Sequence, residues 1–357
     1  MLNRPSLVRA LMVSLCLTPA VTVRGWDYEG HRIVNQLALA SLPADFPAFV
    51  RQSATAERIA FLSGEPDRWR NVSDLPIRHV NGSDHYCDLE QLADAGLDIA
   101  TVSALRYEFV TQFAAGRAAH PDKFPVIDPT KNAEHSREWP GFSPWAIAEQ
   151  YGKLKSAFSY LKAFEEAGTP EEIANAQADI VYLMGVMGHY VGDGAQPLHT
   201  TVHHNGWVGA NPQGYTTWNG IHAWIDSGLI AKAGIKTADL APKVTPAKQL
   251  SVATRADERD PLFVAVIDYL LAQNQLVQPL YQLEKEGKLS DELEKTDRNK
   301  PHPGPVNEEG RAFVEGQLLK GGEMLGAIWV TAWKQAGPDV YLRALLLKRH
   351  AAAPVAK

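Results

Sequence analysis

Cysteine is nearly missing from this chain of 357 residues: there are two, Cys16 and Cys87. A scaffold held by several disulfides is therefore excluded. An excess of positive charge is also lacking. Lysine and arginine total 35 against 41 acids, for a formal net charge of −6, so no basic coat exists to bind polyanions along the surface. An anionic substrate would have to be held locally, and bound metal ions are the obvious means. No stretch reaches the 18 or so apolar residues that a membrane-spanning helix requires. Neither a period-2 strand series nor a repeat at a spacing of 20–50 residues is present. What is there is ordinary globular material, 45% hydrophobic and 21% charged, with twelve histidines unevenly placed.

Residues 1–25 carry Arg4 and Arg9, then an apolar run from Ala10 to Leu17, then small or apolar residues up to Gly25. This pattern is that of an export signal, with cleavage expected after Gly25 and a secreted or periplasmic location. Leu15 before Cys16 argues against a lipid anchor. Cleavage would make Trp26 the new N-terminus and leave Cys87 as the remaining cysteine, so that the mature chain could form no internal disulfide. Residues 26–357 are expected to fold as one domain.

The rest of the sequence reads as helices. Residues 29–42 align Ile33, Val34, Leu37 and Leu42, and residues 98–115 align Val102, Leu105, Phe109 and Phe113. A helix over 144–167 opens with Pro144 and ends before Gly168; another over 170–190 opens with Thr169-Pro170-Glu171-Glu172. Helices are expected at 219–233, at 259–286 with a kink at Pro279, and at 307–336. Loops are expected at 64–84, 118–143, 200–218 and 287–306, the last mobile, with a tail at 350–357. The fold class is all-α, a single large multi-helix domain.

Residues of metal-ligand type are concentrated. In the run Gly188 to Thr200, His189 and Asp193 stand four apart on one helix face, Gly192, Gly194 and Pro197 are expected to end that helix, and His199 can fold back toward it. His222 and Asp226 repeat the spacing. One such pair is commonly a surface ion pair; two pairs with a histidine between them point to zinc, which takes nitrogen and oxygen ligands. Upstream lie His31, the acid Asp67 with Arg70 three residues on, and His85-Tyr86-Cys87-Asp88. His203 and His204 are expected to face solvent or substrate, and Cys87 to pack.

Together these clusters resemble the secreted trinuclear-zinc, single-strand-specific nuclease and 3′-nucleotidase family, whose all-α architecture is shared with zinc-dependent phospholipase C. The resemblance runs from Trp26 to about Asp226, and its most specific element is the His-Tyr-x-Gly-Asp-x-x-Gln-Pro-Leu-His string at His189 to His199. It implies three zinc ions. One would be held by Asp67, His85, His189 and Asp193; a second by His199, His222 and Asp226; a third by the amino and carbonyl groups of Trp26, His31, and Asp193 as a bridge. It further implies that Asp67 orients an attacking water, that Arg70 stabilises the phosphorane, and that Tyr86 and Asp88 stack on and hydrogen-bond a base. The activity implied is hydrolysis of single-stranded DNA or RNA, or of nucleotides, to 5′-phosphorylated products. Neither an obligate protein partner nor stable membrane association is implied. The chain departs from fungal and plant members in lacking disulfides, and Gly194-Ala195 is smaller than the usual pair, which would open the site. Two alternatives stay open: a zinc phospholipase C-type phosphoesterase, although its last ligand is typically Glu where this chain has Asp226, and a non-catalytic protein with structural zinc.

Overall fold

The computed structural model describes residues 26–251, 259–296 and 305–352. The expected leader at 1–25, residues 297–304 of the loop expected at 287–306 with His302, and the end of the 350–357 tail lie outside the described residues; the described start of that loop contains a short helix, Glu292–Thr296. Among those described there is no strand, and the helices form a single all-α domain. In order they are α1 (Tyr28–Ser41), α2 (Ser53–Leu62), α3 (Glu65–Arg70), α4 (Leu75–Gly82), α5 (Leu89–Asp94), α6 (Arg106–Ala119), α7 (Ser143–Ala167) and α8 (Pro170–Ala195). There follow α9 (Ile221–Ala223), α10 (Leu229–Ala233), α11 (Thr237–Leu240), α12 (Pro261–Asn274), α13 (Val277–Lys285), α14 (Glu292–Thr296), α15 (Glu308–Gln335) and α16 (Val340–Ala352).

Helix α8 is the axis of the domain, packed by α7, α15, α2, α1 and α12. Its start is fixed by local chemistry. Thr169 Oγ1 accepts from Glu172 N–H at 3.3 Å, Glu172 Oε2 accepts from Thr169 N–H at 2.8 Å, and Pro170 occupies the first turn where no N–H is needed. The first half keeps an exposed face, but every residue from Met184 to Ala195 is buried. A helix end buried on all sides demands small residues where neighbours cross. At Gly188 a methyl group would lie 1.6 Å from Asn35 Oδ1. That space lets buried Asn35 donate to the carbonyls of Ile59 and Gly185, tying α1, α2 and α8 together.

Most expected elements form, with instructive shifts. Helix α6 begins at Arg106, not near residue 98, because Asp98 Oδ1 takes the N–H of Ala100 and Ser103 Oγ that of Leu105. Such side chains offer the backbone an alternative to helix. Phe109 and Phe113 are buried as expected, whereas Leu105 is exposed. The helix expected to kink at Pro279 is instead two helices broken at Gln275–Leu276. A proline ring clashes with the carbonyl four residues back, here that of Gln275, and is tolerated in the first turn of a new helix. The loop expected at 64–84 contains α3 and α4, each with a proline in its first turn. Helix α8 runs through Gly192 and Gly194 to Ala195. Those glycines are sites of close packing, and Pro197 follows where the chain turns. A methyl at Gly194 would meet Tyr269 Cε1 at 3.0 Å, so its small size serves packing against α12 and does not open the site.

Candidate metal centre

Helix α8 presents His189 and Asp193 one turn apart, both fully buried. Around them the fold gathers side chains from six other segments. Helix α1 brings His31, α3 brings Asp67 and Arg70, the 3-10 turn Ser83–His85 brings His85, and the turn Pro197–Thr200 brings His199. Helix α9 brings His222, and the π-helical turn Trp224–Gly228 that joins it to α10 brings Asp226. Single π turns of this kind occur often at functional sites.

Asp193 faces both halves of the cluster. Its Oδ2 lies 3.0 Å from His85 Nδ1 and 3.3 Å from His189 Nε2, while Oδ1 lies 3.4 Å from His31 Nε2 and 3.8 Å from His199 Nδ1. His31 stacks on His189 with ring centroids 3.8 Å apart. The donor atoms fall into three groups, each within 4.8 Å: His31, Asp67 and His189; His85, His189 and Asp193; and His199, His222 and Asp226. These buried groups can hold metal ions. The third group is the expected second zinc set, and the second group is the expected first set without Asp67. Asp67 Oδ1 stands 4.0 Å from His189 Nε2.

Ring tautomers sharpen this reading. His189 Nδ1–H donates to the carbonyl of Ser63 at 2.7 Å, which leaves a lone pair on Nε2 directed at His85 Nδ1, 2.8 Å away. His199 Nδ1–H donates to the carbonyl of His85 at 2.8 Å, which leaves a lone pair on Nε2 facing His222 Nε2 at 2.9 Å. Asp226 Oδ2, 3.1 Å from His222 Nε2, is buried and accepts no hydrogen bond. With His85 and His222 in the tautomers that leave His85 Nδ1 and His222 Nε2 unprotonated, lone pairs converge in a buried space, an arrangement that a cation standing among them stabilises. Ligating histidines characteristically donate their second N–H to a carbonyl in this way. The donor set of imidazoles and carboxylates fits zinc.

The electrostatics agree for four of the five rings; at His189 the lowering by burial is outweighed by the carboxylates of Asp193 and Asp67, which raise it above its ordinary value. Burial, reinforced by Arg70, pushes His85 and His222 down to about 3, and burial lowers His31 and His199, so these rings are neutral and able to ligate. Burial favours a neutral Asp193, but His189 and His199 outweigh it and hold the carboxyl well below its ordinary range. Asp226 is pushed up to about 8 by burial. Without a cation it would hold a proton at neutral pH.

The solvent-facing edge is formed by Asp67 and Arg70, whose side chains are 15% and 11% exposed against 0% for His31, His85, His189 and Asp193. Arg70 Nε pairs with Asp67 Oδ1 at 3.1 Å, and its Nη2 is buried with no hydrogen-bond partner. Tyr86 is half-buried beside them. Asp88 is buried, its Oδ2 accepts from Gln91 Nε2 at 3.0 Å, and its Oδ1 has no partner. Burial, with Glu90 nearby, raises the Asp88 carboxyl to about 8. Trp26 is buried, its indole N–H donates to the carbonyl of Gly192 at 2.8 Å, and the next residue's N–H donates to the carbonyl of Asp226 at 3.1 Å. Its backbone is thereby pinned between the residues flanking Asp193 and the turn that carries Asp226. Cys87 packs in the core, as expected. His203 and His204 are half-buried, with the His204 ring 6.1 Å from that of His222.

Two kinds of contributor are absent from the ligand pattern. Gln196, inside the quoted string, donates to Asp226 Oδ1 at 2.7 Å and accepts from Leu198 N–H at 2.6 Å. Its place between the ligand pairs was a signal in the sequence. The carbonyls of Ser63 and His85 orient two rings, and no residue type announces them. Comparison with family models, curated proteins and solved structures gave no match.

Proposed function

We propose that this protein is an exported, zinc-dependent phosphodiesterase that cleaves single-stranded nucleic acid to 5′-phosphorylated products, with three zinc ions per chain and 3′-nucleotidase action at the same site. The observation that carries the reading is the Asp67–Arg70 pair, the most exposed edge of the donor cluster among the described residues, beside a carboxylate, Asp193, that faces ligands on both sides. Zinc bound there would supply Lewis acidity toward phosphoryl oxygens and acidify a water. The chain's own groups do the remainder. Asp67 accepts a hydrogen bond from the attacking water and aligns it, and the free Nη2 of Arg70 donates to the equatorial oxygens as charge builds on phosphorus. Tyr86 offers a ring face available to an unpaired base, and the unpartnered Oδ1 of Asp88 accepts from its exocyclic or ring N–H. Trp26 becomes a ligand through its amine only when the leader is removed, because a peptide nitrogen has no lone pair to give.

The test is to isolate the exported protein, sequence its N-terminus, count zinc, and incubate it with a single-stranded oligonucleotide. Trp26 first, three zincs and 5′-phosphate ends support the reading; another terminus, or at most one zinc, overturns the three-metal arrangement. One observation favours the phospholipase alternative. Helix α4, which follows the helix carrying Asp67, exposes Leu75, Ile77 and Val80. Turnover of a phosphatidylcholine vesicle in preference to the oligonucleotide would establish it.

A further inference from the structure

Arg137 lies on the segment between α6 and α7, in a chain with more acid than base, and no ligand pattern includes it. The backbone around it is firmly placed. Its own N–H donates to Asn132 Oδ1 at 3.1 Å, Asn132 Nδ2 donates to Glu138 Oε1 at 2.7 Å, and Arg117 Nη1 donates to the Glu138 carbonyl at 2.9 Å. A few residues on, the segment is laced to the stretch that carries His85, Tyr86 and Asp88. Asp88 N–H donates to the Pro140 carbonyl at 2.6 Å, Ser143 N–H to the Tyr86 carbonyl at 3.1 Å, and Phe142 N–H to the Ser83 carbonyl at 2.7 Å. Gly141 makes this approach possible, since with φ +95° any methyl there would lie 2.1 Å from the Tyr86 oxygen.

The side chain is exposed, and its guanidinium forms no hydrogen bond or ion pair among the described residues. Its charge nevertheless reaches both the Tyr86 phenol and the His204 ring, favouring the deprotonated form of each. Arg70 acts on Tyr86 as well, and on His85 and His222. Two guanidiniums thus act on Tyr86, Arg70 beside the candidate metal ligands and Arg137 on the segment whose backbone is bonded to the Tyr86 stretch.

We infer that Arg137 forms a second phosphate subsite, engaging the phosphodiester that neighbours the scissile one on a single strand whose base lies at Tyr86. The inference rests on the functional reading above and deepens it. A nucleotide in a chain has a phosphate on either side of its sugar, so a strand placed with one phosphate at Arg70 and the metal ligands brings the next out toward solvent, where a free guanidinium can pair with it bidentately. Arg137 would then separate polynucleotides from substrates that carry a single phosphate. The subsite is electrostatic and indifferent to sequence.

The experiment measures binding of a short, hydrolysis-resistant phosphorothioate oligothymidylate to the zinc-loaded protein as salt is varied, alongside turnover of bis(4-nitrophenyl) phosphate. Arg137→Gln is expected to weaken oligonucleotide binding about two- to fivefold, as for an exposed ion pair. It should flatten the slope of log affinity against log salt by about 0.7, one phosphate's worth on a single strand, and leave turnover of the small diester unchanged. Arg137→Lys should keep the slope. Unchanged affinity and slope in Arg137→Gln, equal losses on the small diester, or no oligonucleotide binding by the unaltered protein would each overturn the subsite. Arg137-dependent binding by a protein that hydrolyses neither substrate would sink the nuclease reading and leave the subsite standing. Hydrolysis with Arg137-independent binding would do the reverse.

Discussion

Replacing Asp193 by asparagine keeps the shape of the side chain and removes its charge from between two groups of ligands. The carboxylate oxygens lie within 3.0 to 3.8 Å of nitrogens on His85, His189, His31 and His199, so one substitution acts on both sides of the cluster. Losing even an outer-shell partner typically weakens metal binding about 10- to 100-fold, and a direct ligand belongs at or beyond the upper end. With free zinc at about 1,000 times its dissociation constant, a bound ion stabilises the fold by about 4.1 kcal/mol; a 100-fold weaker site at the same zinc contributes about 1.4 kcal/mol. The loss is then about 2.7 kcal/mol per ion and about 5 kcal/mol for two. At about 2 °C per kcal/mol for a chain of this size, the melting temperature should fall by about 10 °C. His222→Ala touches one group and should cost roughly half as much through the metal. Metal content after desalting, measured with melting temperature before and after chelation, reads both quantities. Asp193→Asn protein that retains all its zinc, or that loses no more than His222→Ala, would refute the shared-carboxylate argument.

Gln196→Ala removes the 2.7 Å hydrogen bond to Asp226 Oδ1 and should weaken zinc at the His199, His222 and Asp226 group about 10- to 100-fold. A chelator-competition titration should show one weakened site; uniform weakening of every site would contradict the assignment. Gly141→Ala forces a side chain to φ +95° and onto the Tyr86 carbonyl, and should cost about 1–3 kcal/mol in urea denaturation. A change within experimental error would mean that the segment adjusts freely. At the start of α8, Glu172 is held down to about 2 by its hydrogen bond with Arg349, then by the N–H of Thr169. Its folded pKa lies below its unfolded one, so its contribution is whole above the unfolded value and fades as pH falls toward 2. Glu172→Gln keeps the capping geometry and removes the charge. Its melting temperature should lie below that of the unaltered protein at pH 7, with the gap narrowing by pH 3; a constant gap would show that the charge is irrelevant.

What could be read from the sequence follows from which interactions are tied to residue type. Helices α1, α7, α8 and α15 were legible because caps and apolar spacing are written in side chains, as at Thr169 and Glu172. Helices α3 and α4 were not, because Pro66 and Pro76 signal a helix start as readily as a loop, and neither helix is long enough to show a period. The clustering of the candidate ligands was legible because metal chemistry admits few residue types, and His189, Asp193, His222 and Asp226 stand four apart where a helix turns once. Their orientation was not. The π turn that presents Asp226 has no residue signature, and any residue could have supplied the carbonyls of Ser63 and His85.

Those carbonyls also show how the centre is joined. His85 contributes its ring to one ligand group, and its carbonyl fixes the His199 ring of another. The next residue but one returns the contact, Cys87 N–H donating to the His199 carbonyl at 2.9 Å. The stretch from Ser83 to Asp88 is thus bonded through His85 and Cys87 to His199, and through Ser83, Tyr86 and Asp88 to residues 140–143, just beyond Arg137. On the proposed reading, a strand held at Tyr86 would load both, and contact at the rim would be mechanically continuous with the geometry of the candidate ligands at the centre.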